Sequence, residues 1–127
     1  MTQTTPLIST LESYLSLTTR REQSISSNMA NVDTPGYHTR DIDFYSELQM
    51  ATSGVLSESG DGTQSAQINP VVREVSGLLE RPDGNNVSLD REGLLMSETQ
   101  LQYQIGVQLV KHQFHQILSA INGGGQS

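Results

Sequence analysis

The chain has 127 residues, a formal charge of −7 and no cysteine. The acidic balance excludes non-specific nucleic-acid binding, which depends on clustered Lys and Arg, and the missing cysteines exclude disulfides, thiolate catalysis and cysteine zinc sites. The sequence contains no apolar run of about 18 residues and no basic-plus-apolar N-terminal signal, so it predicts neither membrane insertion nor cleavage by a signal peptidase.

The first predicted element is a helix from about Pro6 to Asn31, with Thr5 as its cap and Pro6 in its first turn. Its seam alternates spacings of three and four, which is a heptad pattern. The seam consists of Ile8, Leu11, Leu15, Thr18, Glu22, Ile25, Met29 and Val32. An ordinary amphipathic helix on a globular core has the same spacing, so the pattern alone leaves both interpretations open.

Residues 28–37 contain the predicted end of this helix. Pro35 disfavours the α conformation at Thr34, and the pair Pro35-Gly36 fits the two central positions of a type II turn, in which Gly tolerates a positive φ. The sequence therefore predicts that the helix ends near Asn31 and that the chain leaves it in a fixed direction.

The central region, residues 33–87, carries weaker signals. A connector is expected from Asp33 to about Leu48, and the polar stretch from Ser53 to Gln67 is expected to be mobile. Residues 68–75 are a candidate strand, and Leu78–Glu80 is a candidate partner in a small hairpin. Residues 81–86 form a turn cluster.

The second long helix is expected from Ser88 or Asp90, either of which can cap it, to about Asn122, where glycines end it. Its seam is Met96, Gln100, Tyr103, Val107, Val110, Phe114, Ile117 and Ile121, and the apolar face is widened by Leu101, Ile105, Leu109 and Leu118. The expected fold is mainly α, with the terminal segments 1–32 and 88–127 paired as an antiparallel coiled coil around the partly flexible centre.

The polar face of the second helix is almost free of charge. From Thr99 to Ser127 the only formal charge is Lys111, and glutamines fill the polar positions. A solvated helix face normally carries interspersed acids and bases, whereas neutral amides tolerate enclosure better than charges do. This pattern predicts a helix enclosed by other subunits; the alternative is a glutamine-rich helix exposed to solvent.

Residues 28–37, at the end of the first helix, resemble the N-terminal signature of the bacterial flagellar rod, hook and hook-associated axial proteins. The matching residues are Asn28, Ala30, Asn31, Thr34, Pro35, Gly36 and Tyr37. Three further segments, Arg40–Phe44, Asp83–Glu92 and Gln102–Gln104, are similar to the proximal rod proteins of that family. Among the proximal rod proteins, FlgC is the less favoured alternative, because it usually lacks the Arg-Asp-Ile-Asp-Phe sequence that follows the signature here.

The resemblance implies a structural subunit of the basal body rod, part of a drive shaft that crosses the periplasm and assembles helically through its terminal helices. The implied partners are further copies of the chain, rod proteins such as FlgC and FlgF, a FliE-type adaptor, the MS-ring junction and the flagellar type III export apparatus. Phe44 to Leu48 is similar to the export-gate recognition element of early rod and hook substrates, although Phe114 to Leu118 matches the same short pattern.

No enzyme, cofactor or metal is expected. His112 and His115 lie one turn apart on the second helix, but no third ligand is evident, and Asp83-Gly84-Asn85-Asn86 lacks the spacing of a calcium loop. A soluble helical adaptor or export chaperone, binding a partner helix through one seam, is the functional alternative from another class.

Overall fold

The computed structural model describes residues 6–57 and 69–123, apart from the side chains of 54–57. Within these ranges the elements in chain order are α1 (Pro6–Ala30), β1 (Arg40–Ile42), α2 (Phe44–Ser57), β2 (Val72–Glu74) and α3 (Leu89–Gly123). The mainly α architecture with long terminal helices is therefore confirmed. The cap predicted at Thr5 lies outside the described residues.

α1 and α3 pack against each other as an antiparallel pair. Asn28, near the end of α1, donates a hydrogen bond to Glu92 at the start of α3, with 3.1 Å between Nδ2 and Oε2. Leu15, in the middle of α1, lies against Gly106 in the middle of α3, where an added Cβ would be 2.7 Å from Leu15 Cδ2. Early positions of one helix meet late positions of the other, so the predicted antiparallel pairing is confirmed.

α1 is the central element of the chain, because α2 and β1 also pack on it. Leu17 is fully buried although it lies outside the predicted heptad seam. Tyr14 of α1 meets Phe44 at the start of α2 edge to face, with ring centroids 5.5 Å apart. α1 therefore buries two faces, whereas the heptad pattern predicted only the one that meets α3.

The described parts of the centre contain more regular structure than the sequence predicted. Part of the expected connector and residues 53–57 of the expected mobile stretch belong to α2, while residues 58–67 of that stretch lie outside the described residues. The small antiparallel sheet is confirmed, but β2 pairs with β1 rather than with Leu78–Glu80. Ile42 of β1 lies opposite Val72 and is buried. Ile42 thus supplies apolar burial that Leu79, which is 95% exposed, does not.

None of the helices in the described parts of the chain combines the length and the apolar character that a membrane crossing requires.

Candidate functional site

The turn after α1 has the geometry that its sequence predicts. Gly36 has a φ of 76°, as the third residue of a type II turn requires. The Tyr37 amide donates to the Thr34 carbonyl, with 3.2 Å between the atoms. The Thr34 hydroxyl donates to Asn31 Oδ1 at 3.0 Å, which ties the turn to the last residues of the helix.

Asn28 is the most heavily bonded residue of the signature. Its side-chain amide donates to the Arg40 carbonyl at 2.8 Å and to Glu92 Oε2 at 3.1 Å. Its carbonyl oxygen accepts from the Tyr37 hydroxyl and from the Arg40 amide, each at 3.0 Å. Asn28 is 1% exposed, so one amide side chain joins α1, the turn, β1 and α3 inside the protein.

Asn85 performs the same role from the other side of the turn. Its side-chain amide donates to the carbonyls of Asn31 and Thr34, both at 2.9 Å. Its own carbonyl oxygen accepts from the Val87 amide at 2.8 Å. The carbonyls of Asn31 and Thr34 also accept from the backbone amides of the turn, so Asn85 adds a second bond to each and ties the turn to the approach to α3.

Two glycine turns touch beside Asn85. The Gly36 amide donates to the Asp83 carbonyl at 2.9 Å, and a Cβ added to Gly84 would lie 3.2 Å from the Gly36 Cα. Gly84 also has a positive φ, 84°. The close approach therefore depends on glycine for both its backbone conformation and its space.

Glu92 brings a carboxylate into the protein at the start of α3. Its side chain is 0% exposed, and Oε1 lies 2.8 Å from Arg91 Nη1. Oε2 accepts from Asn28. Both oxygens thus have a partner, as a buried carboxylate requires. The carboxylate also lies in the first turn of α3, where the helix dipole favours negative charge.

The residues that follow the signature anchor the chain to α1. Asp41 makes two contacts with Arg21 of α1, at 3.2 Å and 3.3 Å, and both side chains are largely buried. Asp43 caps α2 by accepting from the Ser46 amide at 3.4 Å and the Ser46 hydroxyl at 2.9 Å. The similarity over Arg40–Phe44 therefore coincides with residues that hold β1 and α2 in place.

We call the cluster formed by Asn28, Tyr37, Arg40, Asn85 and Glu92 the clasp. It joins the end of α1 to the start of α3 across 64 residues of chain, as the Asn28–Glu92 bond shows. The sequence predicted the signature half of the clasp, and it predicted a turn, the start of a helix and a family resemblance within residues 83–92, but no contact between the two segments. A signal for that contact was present in the adjacent residues Asn85-Asn86. Both bind the segment around the signature, since Asn86 Oδ1 also accepts from the Thr39 amide.

The remaining signature residues lie at the edge of the clasp. Ala30 and Pro35 are exposed, and Asn31 is half-buried. Nearby, His38 lies 3.3 Å from Glu74 and 3.5 Å from Glu80. The hydrogen bond to Glu74 is the main cause that raises the pKa of the His38 imidazole, and Glu80 contributes further.

The predicted seam on α1 faces mostly inward. Ile8, Leu11 and Ile25 are buried, and Leu15 and Met29 are half-buried. The predicted export-gate residues Phe44 and Leu48 lie in the first turns of α2, and both are half-buried. These residues are therefore engaged with the rest of the folded chain.

The predicted seam on α3 is more exposed than the seam on α1. The positions that are buried on this helix are Glu92, Thr99 and Gly106, whereas Tyr103, Phe114 and Ile121 of the predicted seam are 40%, 52% and 69% exposed. Val107, Val110 and Ile117 are half-buried. α1 thus packs on a line of small and polar residues, and many large apolar residues of α3 stay outside that contact.

These exposed residues form two stripes that flank the contact with α1. We call them the first stripe (Leu94, Leu101, Ile105, Leu109) and the second stripe (Tyr103, Phe114, Leu118, Ile121); each of these residues is at least 40% exposed. A shallow groove runs along the first stripe, lined by Leu101, Gln104, Ile105, Gln108 and Leu109. Contiguous apolar surface of this kind marks interaction sites in soluble proteins.

The described residues contain no group of three or more His, Asp or Glu side chains placed to hold a metal ion. No protein-family model matches the chain.

The chain resembles curated proteins that share one name. The chain is 34% identical to the flagellar basal body rod protein FlgB of Salmonella typhimurium over 122 aligned positions, which cover 87% of this chain and 88% of that protein. It is 31% identical to FlgB of Escherichia coli with the same coverage, and 32% identical to FlgB of Cereibacter sphaeroides over 108 positions, or 81% and 84% of the two chains. With these identities over most of each chain, and with the axial-protein signature at the centre of its clasp, the chain belongs to the FlgB family of flagellar basal body rod proteins.

Proposed function

We propose that the chain is a structural subunit of the proximal part of the flagellar rod, and that α1 and α3 form its axial core. The matched relatives are named as FlgB, so the alternative FlgC is not favoured. In this role the clasp fixes the relative position of the two terminal helices, and neighbouring subunits cover the apolar surface of α3.

The observation that carries this proposal is the exposure of α3. Ile105 is 50% exposed, Leu101 57% and Leu118 54% in the isolated chain. Fully burying one such side chain stabilises by about 1.5–3 kcal/mol, so covering two stripes provides a large driving force for association. The glutamines between the stripes can hydrogen-bond to a neighbour with a smaller desolvation cost than charged residues.

The proposed partners are further copies of the chain, neighbouring rod proteins such as FlgC and FlgF, a FliE-type adaptor at the MS-ring junction and the flagellar type III export apparatus. The proposed location is the rod within the periplasm, reached by type III export. In this proposal the axial core comprises residues 1–32 and 88–127, and residues 33–87 form the outer region.

A concentration series tests the proposal. Circular dichroism and sedimentation velocity should show helicity and mass that rise with concentration, or on mixing with neighbouring rod proteins. A Leu101→Gln/Ile105→Gln variant should keep the monomer's stability, because both side chains are exposed, and should lose association. Leu79→Gln is the matched control, since Leu79 is the more exposed residue but lies outside both stripes.

The same series separates the adaptor or chaperone alternative. An adaptor would be fully helical when dilute and would form a fixed small oligomer. That behaviour, together with normal association of the Leu101→Gln/Ile105→Gln variant, would contradict the proposed role of α3.

The export element requires a separate test, because Phe44 packs against Tyr14 in the folded chain and is also the proposed recognition residue during export. Phe44→Ala should reduce secretion of the chain, whereas Phe114→Ala, which alters the matching pattern inside α3, should not. Tyr14→Ala removes the ring contact with Phe44 but leaves the pattern intact, so it controls for lost packing. Equal secretion of the Phe44→Ala and Tyr14→Ala variants would contradict a recognition role for Phe44.

A further inference from the structure

Formal charge is distributed unevenly along this molecule. Residues 6–19 of α1 contain one charged side chain, Glu12, and residues 99–123 of α3 contain one, Lys111. The antiparallel packing brings these two neutral segments to the same end of the helix pair, since Leu15 lies against Gly106. We call this the neutral end. All the ion pairs in the described residues lie elsewhere, in and around the clasp.

Glu12 and Lys111 have opposite signs and are both exposed, and within the described part of the chain neither forms an ion pair. A charge enclosed in an interface without a partner is strongly unfavourable. If neighbouring subunits enclose the neutral end, each of these groups therefore requires an opposite charge. The neutral ends of further copies offer only the other member of this pair.

Lys111 lies on a side of α3 that is turned away from the contact with α1. Gly106 faces α1, and Lys111 lies roughly 140° around the helix from Gly106 at about 100° per residue. Lys111 therefore projects away from α1. Its surroundings on α3 are the exposed glutamines and apolar residues that the proposed assembly covers.

We propose that Glu12 of one subunit pairs with Lys111 of an adjacent copy of the same chain, and that this pair sets the register between copies. The inference rests on the proposed function and names one residue of α1 and one residue of α3 that meet across the contact between copies. Such a contact is heterologous, because different surfaces of two identical chains meet. Heterologous contacts generate open helical assemblies when the rotation between copies does not close into a ring.

Charge reversal tests the pair in a flagellated strain whose only rod subunit of this kind is the present chain. Glu12→Lys and Lys111→Glu should each reduce the number of intact basal bodies about 100-fold, because like charges then face each other across the interface. The double variant Glu12→Lys/Lys111→Glu should restore assembly. Arg20→Glu is the control, since Arg20 is an exposed charge on the same helix outside the neutral segment, and it should assemble normally.

Co-expression of the two single variants distinguishes pairing between subunits from pairing within one. An alternating array of Glu12→Lys and Lys111→Glu chains places opposite charges at every junction, so the mixture should recover assembly. Pairing within one subunit cannot be restored in this way, because each chain would still hold two like charges. Circular dichroism of each variant should match that of the unmodified chain.

The outcomes separate this inference from the proposed function. Normal assembly of both single variants, or a double variant that fails to recover, would overturn the pair while leaving the rod role in place. Recovery by the double variant but not by the mixture would overturn pairing between copies. Failure of the unmodified chain to enter basal bodies would contradict both.

Discussion

The two ends of the α1–α3 pair differ in how far the chain buries its own side chains. At the clasp end, Asn28, Asn85 and Glu92 are each at most 1% exposed, and their side chains are hydrogen-bonded within the chain. At the neutral end, glutamines and large apolar residues of α3 remain exposed. The polar groups of the clasp are thus paired within the chain, whereas under the proposed function other subunits would cover the apolar residues of the neutral end.

This difference shows how one chain could combine a defined shape with the proposed assembly. Buried polar networks require exact geometry, because every unmet group is costly. Apolar stripes require only coverage, because the hydrophobic effect is non-directional. The chain thus fixes the directions of its helices at one end and leaves apolar surface exposed at the other.

The largest expected effect comes from breaking the clasp. Asn28→Ala removes partners from the Tyr37 hydroxyl, the Arg40 backbone and the buried Glu92 carboxylate, and should lower the free energy of unfolding by about 3 kcal/mol. Urea denaturation measures the change. Asn31→Ala is the control, since its bonds are local and exposed, and it should cost about 1 kcal/mol or less. Equal losses would contradict the central place of Asn28.

The next effect comes from wedging the helices apart at the inner part of the neutral end, where Leu15 meets Gly106. Gly106→Leu adds a side chain where even a Cβ would meet Leu15 at 2.7 Å and Tyr14 at 3.0 Å, and should destabilise the subunit by about 2 kcal/mol. Gly93→Leu is the control, because nothing lies within 4 Å of its added Cβ; leucine there should improve helix stability. Thermal denaturation compares the two variants, and similar melting temperatures would contradict close packing at Gly106.

A smaller effect is expected from the signature turn. The double variant Pro35→Ala/Gly36→Ala places a Cβ at a φ of 76° and should cost about 1–2 kcal/mol. We also expect it to abolish swimming without changing expression, because α1 can then extend past its normal end. Gly123→Ala, at a glycine without a positive φ, serves as the control. Normal swimming by the double variant would argue against a fixed exit.

The smallest effect is a pH dependence at the edge of the clasp. The carboxylate of Glu74 raises the pKa of His38 in the folded chain, so protonated His38 contributes stability that is fully present below the unfolded pKa. That contribution is lost as the pH rises through the higher folded pKa. An NMR titration of His38 should give a pKa above the ordinary value, and Glu74→Gln should lower it. An unchanged pKa in that variant would contradict the assigned cause.

The sequence was most informative where local chemistry decides the structure. Heptad spacing predicted both long helices, and Pro35-Gly36 predicted the turn, because these signals act over a few residues. The partner of β2 was not predictable from local spacing, because it depends on Ile42 reaching the core far along the chain. Glu92 was equally hidden, since nothing in its neighbourhood indicates that a distant amide, Asn28, meets its carboxylate.

The face of α3 that meets α1 illustrates the same limit. The seam drawn through Tyr103, Val107 and Phe114 follows the largest apolar residues, whereas α1 packs along Thr99 and Gly106, which allow a close approach. Large residues were expected to mark the contact within the chain. The residues of the two stripes instead flank the contact with α1 and stay at least 40% exposed, which supports the proposed contact between subunits.

The most direct test is protection of α3 in the assembled rod, for which the absence of native cysteine is an advantage. A single Ile105→Cys variant should react readily with a maleimide in the free chain and at least about tenfold more slowly in purified basal bodies, because a neighbour then covers the first stripe. Ser76→Cys, at an exposed position outside both terminal helices, should react equally in both states. Equal labelling of Ile105→Cys in the free and assembled chain would contradict the account.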